Sequence, residues 1–275
     1  MSADPLGDRM KAYEAAEAER RFIPLLPVYA RIDGRSFSRF TAGLDRPFDA
    51  AFTGAMVETA SRLVKETHAR IAYTQSDEIS LVWLQERYGG EMFFDGRVQK
   101  MVSVLAGLAT AFFHLACRPY PQLVERVETH APHFDCRVFP LPNRAEAANA
   151  FLWRERDATK NAVSMAARAY YEPHELHGRR AAQMQEMLFA KGINFNDYPA
   201  FFKRGTFVRR EVVTRPFTDE ERAKIPERHR PGPGEQVERT AVVTLDMPPF
   251  GTVLNREAVI FDGALPETAR AAAAG

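Results

Sequence analysis

Two short acidic segments carry the residues best suited to chemistry, Arg31-Ile32-Asp33-Gly34-Arg35 and Gln75-Ser76-Asp77-Glu78. Each follows an apolar, strand-like run: Leu25-Leu26-Pro27-Val28-Tyr29-Ala30 in the first case, Ile71-Ala72-Tyr73-Thr74 in the second. Ile79-Ser80-Leu81-Val82-Trp83 begins straight after Glu78, which makes Ser76-Asp77-Glu78 a tight turn between two strands. An acid at a strand end and another at a hairpin tip can share two divalent ions about 3.5–4 Å apart. One ion activates an attacking oxygen and the other steadies a leaving pyrophosphate. The expected chemistry is phosphoryl transfer on nucleotides, with Asp33 and Asp77 as the catalytic metal ligands. The carbonyl of Gly34 suits the same ions, since magnesium takes oxygen donors and keeps waters for its remaining positions. Glu78 is either a third ligand or a solvated or structural acid. Each motif alone is a common turn; their placement at two strand ends around one helix carries the reading.

Other residues extend the candidate site. Arg35, Ser36, Phe37 and Ser38 follow the first acid directly, where main-chain N–H groups could cradle a triphosphate, while the Phe37 and Phe40 rings read as core. Lys100 opens an apolar helix against the helix dipole. That position suits an anionic ligand or, equally, a snorkelling surface lysine. Lys160, Arg168, Arg179, Arg180, Lys203, Arg204, Arg209 and Arg210, with Tyr170, Tyr171 and Phe202 interleaved, suit an RNA backbone and its bases. A solvated helix face accounts for half of them equally well. His174 and His177 lack the partners of a zinc site.

The elements that must position these residues are legible from periodicity. Residues 8–21 read as a short charged helix and 25–33 as a buried strand. From Asp49, an N-cap candidate, Phe52, Met56, Ala60, Leu63 and Val64 repeat at helical spacing to about His68. Strands are expected at 71–75 and 79–84, an apolar core helix at 97–117, and a further strand at 134–141. The order β-α-β-β-α-β is that of a ferredoxin-like polymerase palm, an α+β fold, complete by residue 142. A helical and basic part follows over 143–215, with helices at 146–171 and 175–191, Gly192 as a C-cap, and a strand-like run at 201–210. Residues 216–275 read as linker and tail, with one extra edge strand near 242–245 and a frayed Ala-rich end after Glu267.

Composition bounds the function. Of 275 residues, 45% are hydrophobic and 27% charged, and the net charge of +1 excludes a global positive field as the basis of nucleic-acid binding. Local basic patches must do that work. The two cysteines, Cys117 and Cys136, cannot build a disulfide framework, so they read as buried apolar residues in a reducing cytoplasm. The N-terminus has no signal-peptide core, and the apolar stretch 101–117 is short for a span of about 20 residues, so no membrane is expected.

The motifs resemble a known family when taken together. They are Arg31-Ile32-Asp33-Gly34-Arg35-Ser36-Phe37, Arg46-Pro47-Phe48-Asp49, Tyr73-Thr74-Gln75-Ser76-Asp77-Glu78-Ile79-Ser80 and Phe134-Asp135-Cys136-Arg137. Trp153-Arg154-Glu155-Arg156-Asp157-Ala158-Thr159-Lys160-Asn161, Gly192-Ile193-Asn194-Phe195-Asn196 and Phe202-Lys203-Arg204-Gly205 complete the set. In order and spacing the chain is similar to the tRNA-His guanylyltransferases and the guanylyltransferase-like 3′–5′ RNA polymerases.

The resemblance implies a palm with a helical C-terminal part, a homotetramer, two Mg2+ ions, and nucleotide addition to the 5′ end of a tRNA. In that family ATP or GTP activates a 5′-monophosphate, and the 3′-hydroxyl of an incoming nucleotide attacks it. Carried over, Asp33, Gly34 and Asp77 hold the metals, and residues 33–38 with Ser76 and Asp77 line the nucleotide. Lys100 and Arg137 resemble positions near phosphates. Arg137, Lys160, Asn161, Lys203 and Arg204 are the expected RNA contacts.

Two departures bear on substrate. Ser38 stands where the eukaryotic branch has histidine, and Asp157-Ala158-Thr159-Lys160-Asn161-Ala162 stands for Asp-Cys-His-Ile-Asn-Asn. Thr159 thus replaces a histidine in the region associated with choosing the His anticodon. The form here looks like the bacterial branch, which repairs truncated tRNA 5′ ends by templated addition, and repair is the expected function. Addition of one guanylate to tRNA-His is the alternative. A nucleotide cyclase and a non-catalytic RNA-binding module are the readings from other classes; Gln75-Ser76-Asp77-Glu78-Ile79 lacks the Gly-Gly-Asp/Glu-Glu-Phe hairpin signature of such cyclases.

Overall fold

Six strands, β1 (Val28–Arg35), β2 (Ile71–Gln75), β3 (Glu78–Trp83), β4 (His133–Pro140), β5 (Thr206–Pro216) and β6 (Gln236–Thr244), pair antiparallel in the spatial order β4-β1-β3-β2-β5-β6. The first four give the ferredoxin-like order that the β-α-β-β-α-β reading requires. A computed structural model describes residues 4–232 and 234–269. Around the sheet lie α1 (Pro5–Ala18), the single turn α2 (Phe37–Phe40), α3 (Ala50–Thr67), α4 (Val98–Cys117), α5 (Pro121–His130) and α6 (Arg144–Arg168). The chain continues through α7 (Pro173–Leu176), α8 (Ala181–Ala190), α9 (Ala200–Arg204), α10 (Asp219–Lys224) and α11 (Arg256–Phe261).

The central strands are apolar almost throughout because both faces of the sheet are covered. On one face Val28, Ala30, Ile32, Ile79 and Leu81 meet the helical stripes Met56, Leu63 and Val64 of α3 and Met101, Leu105 and Phe113 of α4. Asp49 caps α3 as its sequence suggests, its Oδ1 accepting from the Phe52 N–H at 2.8 Å. Along its flanks α4 leaves Val104, Leu108, Phe112 and Leu115 half-buried, with Leu108 and Phe112 packed against the core. On the other face Tyr29, Ile71, Tyr73, Val82 and Phe207 meet Phe151 and Leu152 of α6 together with Phe250, Val259 and Ile260. Cys117 and Cys136 are buried and unpaired, and burial pushes both thiols up to about 12.

Several expectations need correction. The segment expected to be linker and tail contains β6, which lengthens the anticipated edge strand to Gln236–Thr244, and a core plug. Phe250 and Val253 are fully buried and Ile260 nearly so, because the sheet face over β2 and β5 would otherwise stand open. The carboxylate of Glu155 fixes the plug by accepting from the Phe250 N–H at 2.9 and 3.0 Å. Arg209, a candidate for following an RNA backbone, is interior: it donates to the carbonyls of Val259 (3.0 Å) and Ala264 (2.8 Å) and pairs with Glu211. The helix expected over 175–191 is split into α7 and α8, with Gly178 at φ +71° in the break. The basic run from Phe201 opens as α9 and becomes strand only at Thr206. From residue 270 the Ala-rich end lies outside the described residues.

Gly205 joins α9 to β5 where the chain passes closest to β2. Its φ is +76°, and a Cβ there would stand 2.6 Å from the Thr74 carbonyl oxygen and 2.7 Å from the Tyr73 ring. The Tyr73 hydroxyl donates to the Arg204 carbonyl at 2.8 Å, so neither neighbour can retreat freely. Gly205→Ala is therefore expected to lose about 3 kcal/mol, from left-handed strain and overpacking together. Denaturant unfolding with an unchanged m-value would report it; a loss below about 1 kcal/mol would contradict the close passage.

Candidate active site

Asp33 and Asp77 are brought together by main-chain geometry. Asp33 sits near the end of β1 opposite Glu78, the first residue of β3, and the two-residue turn Ser76-Asp77 links β2 to β3. The Gly34 N–H donates to the Asp77 carbonyl at 3.0 Å, tying the β1 end to the hairpin tip. Serines in left-handed backbone flank both acids, Ser36 at φ 59° and Ser76 at φ 52°. Non-glycine residues there cost of order 1 kcal/mol, a strain that collects at functional turns. Ser36 precedes the single turn of α2, so successive N–H groups leave the β1 end in a nest-like alternation suited to an anion. A Cβ on Gly34 would stand 2.4 Å from the Phe37 ring, so that ring packs flat against the acid-bearing backbone. Phe37 is itself buried among Phe40, Phe52, Phe113 and Phe134. Its expected nucleotide contact is therefore restricted to the main chain.

Electrostatics mark the acids as a site that wants positive charge. Burial pushes the Asp77 carboxyl up to about 6, and the charges of Asp33 and Glu78 add to the rise, against hydrogen bonds from its own N–H and from Ser76. Glu78 has its own counter-ion. Arg154 of α6 donates Nε and Nη2 to the two Glu78 oxygens at 2.6 and 2.8 Å, and Nη2 reaches Asp157 at 3.0 Å. Both Glu78 oxygens are thus committed, which assigns this acid the structural of its two expected roles. Burial pushes its carboxyl upward and the Arg154 bonds pull it back.

Among the described residues no group of three His, Cys, Asp or Glu side chains has the arrangement of a self-sufficient metal site. Two carboxylates and a neighbouring carbonyl are hard oxygen donors, and Asp77, raised mainly by burial with Asp33 and Glu78 adding to it, is an acid whose ionised form a divalent cation would favour. The donor set fits magnesium completed by phosphate oxygens and waters.

Asp77 makes metal-free stability depend on pH. Its folded value, about 6, lies above the usual 3.8, so between those values the folded state binds more protons than the unfolded state. Stability then falls as pH rises from about 4 through about 6. Melting of metal-free protein at about pH 5 and about pH 7 should show the decline, and Asp77→Asn should flatten it. An equal slope in the variant would refute the assignment.

Beside the acids a cleft of ≈ 420 Å³ runs from Ser38 and Ser76 past Thr74, Gln75, Asp49 and Phe202. Arg46 and Arg168, both exposed, supply positive charge at its walls. Ser38 and Ser76 were near enough in sequence to the acids to be read with them; Arg168 was expected at an RNA backbone and Arg46 stood only within a motif, because only the fold carries the end of α6 and the Arg46 loop to this cleft.

The remaining candidates divide. Arg137 stands opposite Arg31 on β4 and 3.8 Å from Asp135, on the same sheet face as Asp33. Lys160 and Asn161 are exposed on α6, and the Asn161 amide approaches Asp157 at 3.5 Å. Lys203 is engaged: its ammonium donates to the Asn196 carbonyl. Arg204 places its charge beside Glu155. Lys100 lies elsewhere, 13 residues and so about 20 Å along α4 from Phe113, over the Phe94 ring at 5.6 Å. Within one chain it does not join the acids.

The chain is similar to known proteins over most of its length. The family profile described as tRNAHis guanylyltransferase matches residues 7–142. A bacterial tRNA(His) guanylyltransferase-like protein solved in complex with ATP is 37% identical, with a TM-score of 0.68, over 75% of this chain and 87% of that one. One solved in complex with GTP is 30% identical over 90% of this chain and 94% of that one, also at TM-score 0.68. The tRNA(His) guanylyltransferase of Schizosaccharomyces pombe is 28% identical over 74% of this chain and 80% of its own length.

Proposed function

Since the chain belongs to the tRNAHis guanylyltransferase family and is a nucleotidyltransferase, we propose that it adds nucleotides in the 3′–5′ direction to the 5′ ends of truncated tRNAs. The observation that carries the reading is the tied pair Asp33 and Asp77 beside a cleft of ≈ 420 Å³ whose wall includes their neighbours Ser38 and Ser76. That volume suits a nucleoside triphosphate, and the related bacterial proteins were solved with ATP and with GTP. Ser38, Ser76 and the main chain of 34–38 face its phosphates in this reading, with Arg46 and Arg168 as further cations. Asp33, Asp77 and the Gly34 carbonyl would hold magnesium, which when bound supplies charge neutralisation at the reacting phosphate.

Reaction proceeds in two displacements. In the first, a 5′-phosphate oxygen of the RNA attacks the α-phosphorus of ATP or GTP and pyrophosphate leaves. In the second, the 3′-hydroxyl of an incoming triphosphate attacks the activated 5′-phosphate and the nucleoside monophosphate leaves. The chain's residues contribute alignment of the reacting groups and exclusion of water. Val104 and Leu115, apolar and only half-buried on α4, support association of copies, for which we propose the homotetramer. The two buried, unpaired cysteines support a reducing cytoplasmic location.

Repair is preferred to strict tRNA-His specificity because Thr159 turns its hydroxyl back onto the Glu155 carbonyl at 3.0 Å, within its own helix. Guanylate addition to tRNA-His is retained as a second reading on the names of relatives such as the fission yeast enzyme. A 5′-extension assay with labelled nucleotides, several 5′-truncated tRNAs and intact tRNA-His decides between them, with Asp77→Ala as control. Templated filling of any truncated stem supports repair; extension confined to tRNA-His supports the second reading. Cyclic product from a triphosphate alone would overturn both.

A further inference from the structure

One exposed aromatic near the acids has no part in the reading so far. Trp153 lies on α6 with 53% of its surface exposed. The Arg31 guanidinium is 5.9 Å from the indole centroid and that of Arg154 is 4.5 Å away. Arg31 precedes Asp33 by two residues on β1, which puts both side chains on one sheet face about 7 Å apart. The indole thus stands one side-chain row behind a catalytic acid.

An isolated surface tryptophan needs no explanation. This one is distinguished by its company. Arg31 keeps its Nε buried without a hydrogen-bond acceptor. Directly opposite Arg31 on β4 stands Arg137, with a side chain 57% exposed. Like charges paired across adjacent strands oppose sheet formation. The nearby acids, Glu78 at 4.0 Å from Arg31 and Asp135 at 3.8 Å from Arg137, meet these two guanidinium groups only at the limit of pairing distance, which leaves both able to take an incoming anion. A flat indole face beside a row of guanidinium groups matches a nucleobase and its phosphate, with stacking for the one and charge for the other.

We propose that Trp153 is the platform on which the 5′-terminal base of the acceptor RNA stacks, presenting its phosphate to Asp33 and Asp77. The proposal rests on transfer to RNA and adds how the RNA end is held. Every base has a π face, so such a platform reads the presence of an end rather than its sequence. That is the selectivity a repair enzyme for differently truncated tRNAs requires.

The test uses the full-length protein, a 5′-truncated tRNA bearing a 5′-monophosphate, and the variants W153A and W153F. W153A is expected to raise the RNA Kd about tenfold with the KM for triphosphate unchanged, and W153F to stay within about threefold because a ring remains. The second readout is optical. Trp83, the other tryptophan, is 4% exposed with its Nε1–H bonded to the Thr67 carbonyl at 2.9 Å. RNA added to metal-free wild type should therefore quench emission from Trp153, and the quench should vanish in W153F. Unchanged RNA affinity in W153A, emission unmoved by RNA, or a shift in the triphosphate KM alone would overturn the proposal. A changed subunit number with RNA affinity intact would overturn it too, assigning the indole to a second copy of the chain. Failure of the underlying reading shows separately, as wild type that extends no RNA.

Discussion

Asp33→Ala and Asp77→Ala are each expected to lower nucleotide transfer by about 10³-fold or more while the protein stays folded. The charge stabilisation that a bound metal ion supplies is worth several kcal/mol, and each 1.36 kcal/mol is a factor of ten in rate. Neither carboxylate supports the fold. Asp33 lies near a strand end and Asp77 at a hairpin tip, and the link between them is the main-chain bond from Gly34 N–H to the Asp77 carbonyl, which alanine leaves in place. Removing Asp77 also removes a buried carboxyl that sits against two other acids. Above about pH 6 the metal-free Asp77→Ala protein should therefore melt no lower than wild type. Transfer assays and melting curves on the same preparations check both halves. Retained transfer would refute the two acids as metal ligands, and collapse of the fold would refute a placement in which neither side chain holds the strand end or the hairpin turn together.

The second large effect falls on stability. Arg154→Ala should lose about 4 kcal/mol, since removing one partner of a buried ion pair strands the other charge. The Arg154 and Glu78 side chains are 12% and 15% exposed, and both Glu78 oxygens are bonded to the guanidinium. Arg154→Lys should recover only part of the loss, because an ammonium cannot reproduce the planar fork. The double variant Arg154→Met with Glu78→Gln should be more stable than Arg154→Ala alone, as the carboxylate at position 78 is no longer left without its guanidinium partner. Chemical denaturation of the four proteins decides the matter. A cost below about 1 kcal/mol for Arg154→Ala would place the pair among weak surface bridges.

The catalytic half of the fold was legible because each of its elements carries a strong local signal. Asp49 caps a regular apolar stripe, and two apolar runs flank a tight acidic turn. What escaped notice was decided by contacts remote in sequence. Helix α5 is short, buries only Leu123 fully and has no side-chain cap, so its period was too brief to register. Phe250, Val253 and Ile260 lie in a stretch whose neighbours are charged and proline-rich, and only the open sheet face explains their burial. Within the candidate site, Asp33, Gly34, Ser76 and Asp77 were readable from turn chemistry. The partner of Glu78 was not, since 76 residues separate it from Arg154 and neither position announces the other. The position of Lys100 away from the acids of its own chain was hidden for a related reason: a lysine at a helix start records a local dipole conflict and says nothing of where the helix points.

The bond from the Gly34 N–H to the Asp77 carbonyl has a consequence for how such a protein can change over time. Because peptide groups set the separation of the two acids, substitutions elsewhere on α6 or around the cleft do not alter it. If Thr159 and Lys160 meet the RNA as proposed, replacements there would redirect which RNA is accepted while the two acids keep their places. The preference for a substrate and the capacity to react are thus free to diverge, and lineages with different RNA partners can descend from one unmodified catalytic turn.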